Sequence, residues 1–318
     1  MGPAMSLIVP VYNACEYLDR TVPTFLAAVE AWPGAELIIV DNGSTDGSWE
    51  YVRSIEHPAL RVLRKQDAHV GEVRNEGVRA ARGEILVFVD ADCLVPPEHL
   101  VTIAAAFSDS GAEAVGSYYS MSPEPSWIER SWHMMHAPAG DGYAAWVPAG
   151  NMAIRRATFE RLAGFRRDLT SGEDVDLCYR LERGGTPIFQ DRRIRASHLG
   201  NPRTATQFIR KHAWHGEGML AAGRASLFNR PTVMTLVHWT MIVGGVVLVA
   251  VSRPPAFLSG GILLLCLTFV PLVSVLFRSL QKRRLVNPLT SGVAYFLYYI
   301  ARAISLKRLL WRRLRGKE

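Results

Sequence analysis

Two long uncharged hydrophobic stretches restrict the fold of this chain more than any other feature of its sequence. Thr232–Val251 and Ala256–Phe277 contain no Asp, Glu, Lys or Arg, and each is long enough to span the hydrocarbon core of a bilayer. Only Ser252–Pro255 separates them, so they predict a tight transmembrane hairpin whose two outer ends lie on the same side of the membrane. The alternative is a pair of buried core helices, which two adjacent uncharged runs of this length disfavour.

The positive charge of the chain lies next to this predicted hairpin. The net charge is +7, but residues 278–318 hold eleven Lys and Arg against one acid, while residues 1–277 hold 25 basic and 28 acidic residues. A uniformly basic surface for nucleic acid is therefore not expected. Because basic residues directly follow the second stretch, the positive-inside rule predicts a multi-pass protein of the plasma or inner membrane with its outer hairpin ends in the cytoplasm. These residues are Arg278, Lys282, Arg283 and Arg284.

Residues 288–318 carry a further, less regular apolar pattern. Hydrophobic side chains fall roughly on one helical face, with Arg302 opposite and Lys307 near the apolar side. Since a charged residue is costly inside hydrocarbon, Arg302 favours an amphipathic helix lying in the membrane interface over a third span. The sequence thus predicts a soluble domain at 1–231, a membrane hairpin with helices at 232–251 and 256–277, and a basic interfacial tail at 278–318.

The predicted soluble domain alternates between short β-branched strands and helices. Continuous apolar strands separated by helices of about ten residues predict an α/β fold with a mostly parallel, doubly wound, Rossmann-like sheet. In such sheets, ligands bind beyond the carboxyl ends of the strands. The predicted strands are Ser6–Val11, Glu36–Asp41, Leu60–Leu63 and Ile85–Asp90.

Acidic residues stand at the ends of two of these strands. Asp90 and Asp92 are alternate residues of an extended segment, so both carboxylates can converge on one cation, for which Mg²⁺ or Mn²⁺ is expected. The plainer interpretation is that acids are common where strands reach water. Asp41 ends a strand before an Asn-Gly-Ser segment. This segment is either an ordinary turn with Ser44 or Thr45 capping the next helix, or Asp41 accepts a hydrogen bond from a nucleobase.

Three other segments carry candidate functional side chains. Glu173 and Asp174 begin a helix, where carboxylates favour the helix dipole and where one of them can also act as a general base. Arg74 lies near another helix start, either to bind a diphosphate or as part of a solvated face. His198 follows an apolar strand and is either structural or a third metal ligand.

Five segments carry a resemblance to a known family when they are taken together. In this order and spacing, over about residues 5–220, they resemble family-2 glycosyltransferases of the GT-A fold, and of the membrane-anchored, non-processive type. Each motif is weak alone, whereas the ordered set is specific. The segments are SLIVPVYNACEYLDRTVPTFL, ELIIVDNGSTDGS, GEVRNEGVRAARGEILVFVDADCLVPPEHL, VPAGNMAIRRATFERLAGF and SGEDVDLCYRL.

The resemblance implies a metal-dependent hexosyltransferase that uses a nucleoside-diphosphate sugar, of the UDP or GDP type, with inversion at the anomeric carbon. It implies that Asp174 is the base that deprotonates an acceptor hydroxyl, with Glu173 as the second choice. The remaining roles that it implies are nucleoside binding by Pro10, Tyr12 and Asp41, approach of Arg74 to the base or diphosphate, contact of Asp90 with ribose and sugar, and metal binding by Asp92. The residues themselves add Asp90 and His198 as candidate further ligands of the metal.

The acceptor predicted from the sequence is a lipid or a lipid-linked saccharide presented at the membrane. Processive polysaccharide synthases of the family carry Q-x-x-R-W, whereas here Gln207–Arg210 is followed by Lys211, and two spans are few for a translocation channel. Three alternatives remain open. They are a polyprenyl-phosphate glycosyltransferase, whose acceptor phosphate needs no strong base, a processive polysaccharide synthase, and a non-catalytic membrane-anchored protein that binds nucleotide sugars.

Overall fold

A computed structural model describes residues 4–138, 140–221, 230–283 and 286–314, with no side-chain description at 218–221 and 312–314. The chain forms two compact units, one from residues 1–123 and 138–201, the other from residues 124–137 and 202–318. The helices are α1 Cys15–Glu30, α2 Ser48–Arg53, α3 Val70–Ala80, α4 His99–Ser110, α5 Trp127–His136, α6 Arg156–Arg161, α7 Glu173–Arg183, α8 Ala205–Ala221, α9 Arg230–Ser252, α10 Ala256–Lys282 and α11 Pro288–Leu314.

The first unit is built on an eight-stranded sheet with the order β3-β2-β1-β4-β8-β6-β9-β7. Its strands are β1 Met5–Val11, β2 Glu36–Asp41, β3 Leu60–Arg64, β4 Ile85–Val89, β6 Ala114–Gly116, β7 Gly142–Ala144, β8 Asn151–Arg155 and β9 Ile188–Gln190; β5 Cys93–Leu94 and β10 Ser197–His198 form a separate pair. The first four strands are parallel, whereas β8 runs antiparallel to both β4 and β6. The predicted α/β fold is confirmed, with a parallel half and a mixed half.

Both faces of the parallel half are covered by helices. Alternate residues of β1 point to opposite sides, so Leu7 and Val9 join one hydrophobic core with Phe25 of α1, while Ile8 joins a second core with Val73 of α3. Burial on both faces explains why these strands are continuously apolar rather than alternating. The polar residues therefore concentrate at the strand ends.

The second unit contains three helices that are long and apolar enough to cross a membrane: Arg230–Ser252, Ala256–Lys282 and Pro288–Trp311. The two predicted spans are among them, and α11 is a third candidate within the described residues where two were expected. The charge of Arg302 disfavoured a third span, but that residue is only 1% exposed, with its Nη2 donating to the Thr232 hydroxyl at 3.1 Å. Its charge faces neighbouring helices of the same unit and therefore does not disqualify α11 on length and composition.

The other side chains of α11 also place polar groups against neighbouring helices and aliphatic groups on the outside. Tyr299 is buried and hydrogen-bonded to the Ser274 hydroxyl of α10, whereas the aliphatic Val293 is 42% exposed. Polar groups that face the helices and aliphatic groups that face outward are the arrangement expected where the surroundings are apolar. The interfacial position of residues 278–318 and the division of the chain at 231 stay predictions.

Candidate active site

A cleft of about 310 Å³ opens at the carboxyl ends of the parallel strands. Parallel pairing sets Val11 beside Asp41 and runs β1 beside β4, so the segments that follow these strands converge at one edge of the sheet. The cleft is lined by Pro10, Tyr12, Asn13, Asn42, Asp90, Asp92 and His198, among others. The strand ends that the sequence singled out therefore meet at one place.

Asp90, Asp92 and His198 form a candidate metal site in this cleft. Each offers one ligand atom, and these atoms lie within 4.8 Å of one another. His198 reaches the site because β10 pairs antiparallel with β5, which begins directly after Asp92 and sets His198 opposite Cys93. The Nε2 atom of His198 lies 3.4 Å from Oδ2 of Asp92. Two carboxylates and one imidazole are a donor set that fits a divalent cation, and the oxygen ligands favour Mg²⁺ or Mn²⁺.

Two neighbours fix the orientation of Asp90. The buried Arg74 donates from Nη2 to Oδ1 of Asp90 at 2.7 Å, and the Tyr119 hydroxyl donates to Oδ2 at 2.5 Å. Burial by itself would raise the pKa of Asp90, but the Arg74 charge and the Tyr119 hydrogen bond outweigh it, so the pKa lies below its ordinary value. Burial and the Asp90 charge raise the pKa of Tyr119 well above its usual range, which keeps its hydroxyl a donor. Asp90 is therefore a carboxylate held in one position.

Two glycines leave space for these carboxylates. A Cβ atom on Gly150 would overlap the Asp90 carboxylate and the Tyr119 hydroxyl, and one on Gly200 would overlap Asp92. Neither glycine has a positive φ, so the requirement at both positions is space and not backbone conformation. Close approach of backbone to a functional side chain is a common reason for glycine at such positions.

Glu173 and Asp174 begin α7, as the sequence predicts, but their surroundings differ. The Glu173 carboxylate pairs with the buried Arg74 through an Oε1–Nη1 distance of 2.5 Å. The Asp174 carboxylate instead accepts from the backbone amides of Val175, at 2.8 Å, and Ala149, at 3.3 Å. Burial raises the pKa of Asp174 to about 7, and the adjacent Glu173 charge adds to the shift. Asp174 therefore changes its protonation state near neutral pH.

The two acidic sites are joined by short connections. Arg74 contacts Asp90 with one guanidinium nitrogen and Glu173 with the other. The segment before β8 joins them a second time, because the Ala149 amide contacts Asp174 while the next residue, Gly150, packs against Asp90. The candidate metal ligands and the carboxylate with the raised pKa thus share the same supporting contacts.

Four of the predicted site residues are outside the lining of the cleft: Asp41, Arg74, Glu173 and Asp174. Asp41 is fully buried, and its carboxylate accepts from the amides of Gly43 at 2.9 Å and Ser44 at 3.1 Å. Its neighbour Asn42 lines the cleft. Arg74 is 3% exposed and uses two guanidinium nitrogens on carboxylates. Nucleoside binding by Asp41 and diphosphate binding by Arg74 stay predictions.

Sequence reasoning missed Tyr119, Gly150 and Gly200. Tyr119 reaches the site because the next residue, Ser120, bridges to Ser197 of β10. This contact also sets its ring edge-to-face with the His198 ring, at a centroid distance of 4.8 Å. Of these three residues, Gly150 in the segment VPAGN carried a signal in the sequence. A single glycine just before a strand can mark a position where the backbone closely approaches another group.

The description "Glycosyl transferase family 2" belongs to the family model that matches residues 6–178, which is more than half of the chain. The chain belongs to glycosyl transferase family 2. The matched range contains Asp90, Asp92, Glu173 and Asp174, and it ends within α7. The predicted family is confirmed.

Curated relatives in this family include two that align over most of the chain. The validoxylamine A glucosyltransferase of Streptomyces hygroscopicus subsp. jinggangensis is 26% identical over 263 residues, which cover 66% of this chain and 61% of that protein. Glycosyltransferase AglE of Haloferax volcanii is 25% identical over 265 residues, which cover 81% of this chain and 84% of that protein. The chain therefore spans less than two thirds of the first relative.

The mannosyltransferase PcManGT from Pyrobaculum calidifontis, solved in complex with GDP-Man and Mn²⁺, has a similar fold. The match has a TM-score of 0.69 at 19% identity and covers 100% of this chain and 89% of that one. At this identity the likeness establishes the fold alone, and it confirms the predicted GT-A type of α/β fold.

Proposed function

We propose that this protein transfers a sugar from a nucleoside-diphosphate sugar to a hydroxyl group of a membrane-presented acceptor, with inversion at the anomeric carbon. The observation that carries the proposal is the contrast between two carboxylates. Asp90 is held ionised beside a candidate metal ligand set, while the pKa of Asp174 is raised to about 7. One acidic site thus suits the charge of a donor and the other suits the proton of an acceptor.

The nucleoside-diphosphate sugar binds in the cleft. Pro10 and Tyr12 line it beside Asn42, and the exposed ring of Tyr12 would contact the nucleoside. Asp92 and His198 would hold the divalent cation, with Asp90 oriented beside them by Arg74 and Tyr119. A bound divalent cation neutralises the negative charge that develops on the leaving diphosphate.

Asp174 acts on the acceptor as the general base. As the acceptor oxygen forms a bond to the anomeric carbon, the bond from that carbon to the diphosphate oxygen breaks, and the diphosphate leaves with the electron pair. The acceptor hydroxyl loses its proton to the Asp174 carboxylate, whose pKa of about 7 suits a general base at neutral pH. In-line displacement requires the base and the leaving group on opposite faces of the sugar, which is why the two acidic functions belong to separate residues.

Membrane presentation of the acceptor is supported by the three candidate spans and by the basic residues that follow the second one. The positive-inside rule supports a cytoplasmic location for the first unit at the plasma or inner membrane. Support for the donor class comes from relatives, since one is named a glucosyltransferase and PcManGT was solved with GDP-Man and Mn²⁺. We propose a UDP- or GDP-sugar on this basis.

A ligand panel followed by an acceptor comparison tests this proposal. The full chain in detergent is heated with UDP-, GDP- or dTDP-sugars, with and without Mn²⁺, because a ligand of the native state raises the midpoint of unfolding. We expect one donor to stabilise the protein in a metal-dependent way. With that donor, we expect turnover on extracted membrane lipids and little turnover on soluble sugars. Stabilisation by a donor with no turnover on any acceptor would support the non-catalytic alternative, and stabilisation by no donor would overturn the proposal.

The same assay separates the polyprenyl-phosphate alternative. A phosphate acceptor is already ionised and needs no strong base, so Asp174→Asn would keep most of its activity on that acceptor while Asp92→Asn would lose it. Loss of activity in both variants supports a hydroxyl acceptor.

A further inference from the structure

Basic side chains gather at the end of the helical hairpin where α9 begins and α10 ends. Arg230 is the first residue of α9, and Arg278 and Lys282 lie one turn apart in the last turns of α10. The opposite end of the hairpin, where α9 connects to α10, carries Arg253 alone among charged residues. The two ends of the hairpin therefore differ sharply in charge.

Specific contacts bring these basic groups together. The Arg230 guanidinium carbon lies 3.6 Å from the centroid of the Phe277 ring, which directly precedes Arg278 in the chain. Lys282 is held by a 3.0 Å hydrogen bond from its Nζ to the carbonyl of Ala137, which directly follows α5. The cluster is therefore anchored by Phe277 of α10 and by the residue that follows α5.

The contacts described for the two arginines are neutral and leave their charge available. A guanidinium that stacks on an aromatic ring through its face keeps its in-plane N–H donors for an anion, and this is the geometry in which arginine binds phosphate. Arg278 donates from Nη1 to the carboxamide oxygen of Gln281 at 3.2 Å, which removes no charge. Residues 230–317 contain no Asp or Glu at all. The three helices themselves thus offer no carboxylate to this cluster.

We propose that Arg230, Arg278 and Lys282 form a binding site for the phosphate of an anionic phospholipid headgroup. The site lies at the end of two candidate membrane spans, which is the depth of the headgroups, and a phosphate supplies the negative charge that the helices lack. Phe277 and Leu280, both exposed beside the basic groups, provide apolar surface for the attached acyl chains. This site is independent of the proposed sugar transfer, and it holds whether or not the protein is an enzyme.

The experiment measures stabilisation of the full chain in neutral detergent by short-chain lipids. Dihexanoyl phosphatidylglycerol is titrated against the midpoint of thermal unfolding, with dihexanoyl phosphatidylcholine and inorganic phosphate as comparison ligands. We expect saturable stabilisation by the anionic lipid that neither comparison ligand gives. In the double variant Arg230→Gln with Arg278→Gln, the half-saturating concentration should rise roughly tenfold to thirtyfold, since each basic residue near an anionic lipid surface contributes about 1 kcal/mol.

Two further variants test whether the lipid response depends on the location of the charge and on the charge itself. Arg253→Gln removes one positive charge at the opposite end of the hairpin and should leave the response to phosphatidylglycerol unchanged. Arg278→Lys retains the charge and should retain most of the response, which separates loss of binding from loss of folding. An unchanged response in the double variant, an equal loss in Arg253→Gln, or equal stabilisation by inorganic phosphate would each overturn the proposal.

Discussion

Glu173 and Asp174 are adjacent in the chain, yet their carboxylates meet opposite electrostatic surroundings. The Glu173 carboxylate lies against the buried guanidinium of Arg74 at 2.5 Å, whereas Asp174 accepts from two backbone amides and has its pKa raised to about 7. The Glu173 carboxylate is engaged in an ion pair with the same arginine that orients Asp90, so its contact supports the metal-site carboxylate. We therefore expect Asp174 to be the base and Glu173 to be its structural neighbour.

Activity should depend on pH through Asp174. The base acts only when it is deprotonated, so lowering the pH below about 7 should reduce kcat/KM about tenfold per pH unit. A pH–rate profile measured with saturating metal checks this. The residual activity of Asp174→Asn should not fall in this way at low pH. A flat wild-type profile down to pH 5 would contradict Asp174 as the base.

Folding stability should change with pH in the opposite direction. Because the pKa of Asp174 is about 7 in the folded chain and its ordinary value is 3.8, the folded state binds an extra proton between these values. The stabilisation from the protonated carboxyl is complete below the unfolded pKa and is lost as the pH rises through the folded one. Thermal unfolding from pH 5 to 8 should show a decline in folding stability. In Asp174→Asn, the part of this decline that is due to Asp174 should be absent. An identical pH slope in the variant would count against the raised pKa.

Replacing Glu173 should affect stability more than chemistry. Glu173→Gln removes the charge partner on one side of the buried Arg74, and we expect a loss of about 1–3 kcal/mol of folding free energy with a smaller drop in kcat than Asp174→Asn gives. Denaturant unfolding and steady-state kinetics check both parts. Glu182→Gln, at an exposed position on the same helix, is the matched control. If Glu173→Gln abolished turnover with unchanged stability, Glu173 would be the base.

His198 should influence which metal supports turnover. Imidazole is a ligand that Mn²⁺ accepts more readily than Mg²⁺, which favours oxygen. In His198→Ala, the Mn²⁺ concentration for half-maximal activity should rise at least tenfold, while the Mg²⁺ requirement should change less. His57→Ala, which removes a histidine that pairs with Glu30, should change neither value. Equal requirements in wild type and His198→Ala would exclude this histidine from the metal site.

Gly150 should tolerate no side chain. The Cβ atom of Gly150→Ala would overlap the Asp90 carboxylate and the Tyr119 hydroxyl, and a displacement of about 1 Å at a catalytic centre can cost on the order of 100-fold in rate. We expect a loss of that size in kcat/KM. Gly140→Ala places its Cβ in open space and should behave as wild type. Wild-type activity in Gly150→Ala would show that this contact does not position Asp90.

The sequence predicted the parts of the site that local patterns control. The bounds of β2 were predicted as Glu36–Asp41 and observed there, and the acids that follow β4 line the cleft at the predicted edge. The extended geometry expected for Asp90–Asp92 is wrong, because the Cys93 amide donates to the Asp90 carbonyl at 3.0 Å and closes a turn. Glu173 and Asp174 were expected at a helix start and are found there. Strand periodicity and helix-start chemistry act over a few residues, so one sequence is enough to reveal them.

The parts that the sequence did not predict depend on contacts between distant segments. Tyr119 reaches Asp90 only because Ser120 pairs with Ser197, a partner that no local pattern indicates. Arg302 was treated as a charge exposed to hydrocarbon, but its burial against Thr232 depends on how α11 packs against α9. Composition reports that a residue is charged and does not report what surrounds it.

Donor binding and proton removal should depend on different carboxylates. Calorimetric titration of the cognate donor in the presence of Mn²⁺ measures this separation, with Asp92→Asn and Asp174→Asn compared under identical conditions. We predict that Asp92→Asn loses the metal-dependent part of donor affinity. We also predict that Asp174→Asn binds the donor within about threefold of wild type, well under 1.4 kcal/mol, and no longer transfers sugar to a hydroxyl acceptor. Unchanged donor affinity in Asp92→Asn, or loss of donor binding in Asp174→Asn, would contradict it.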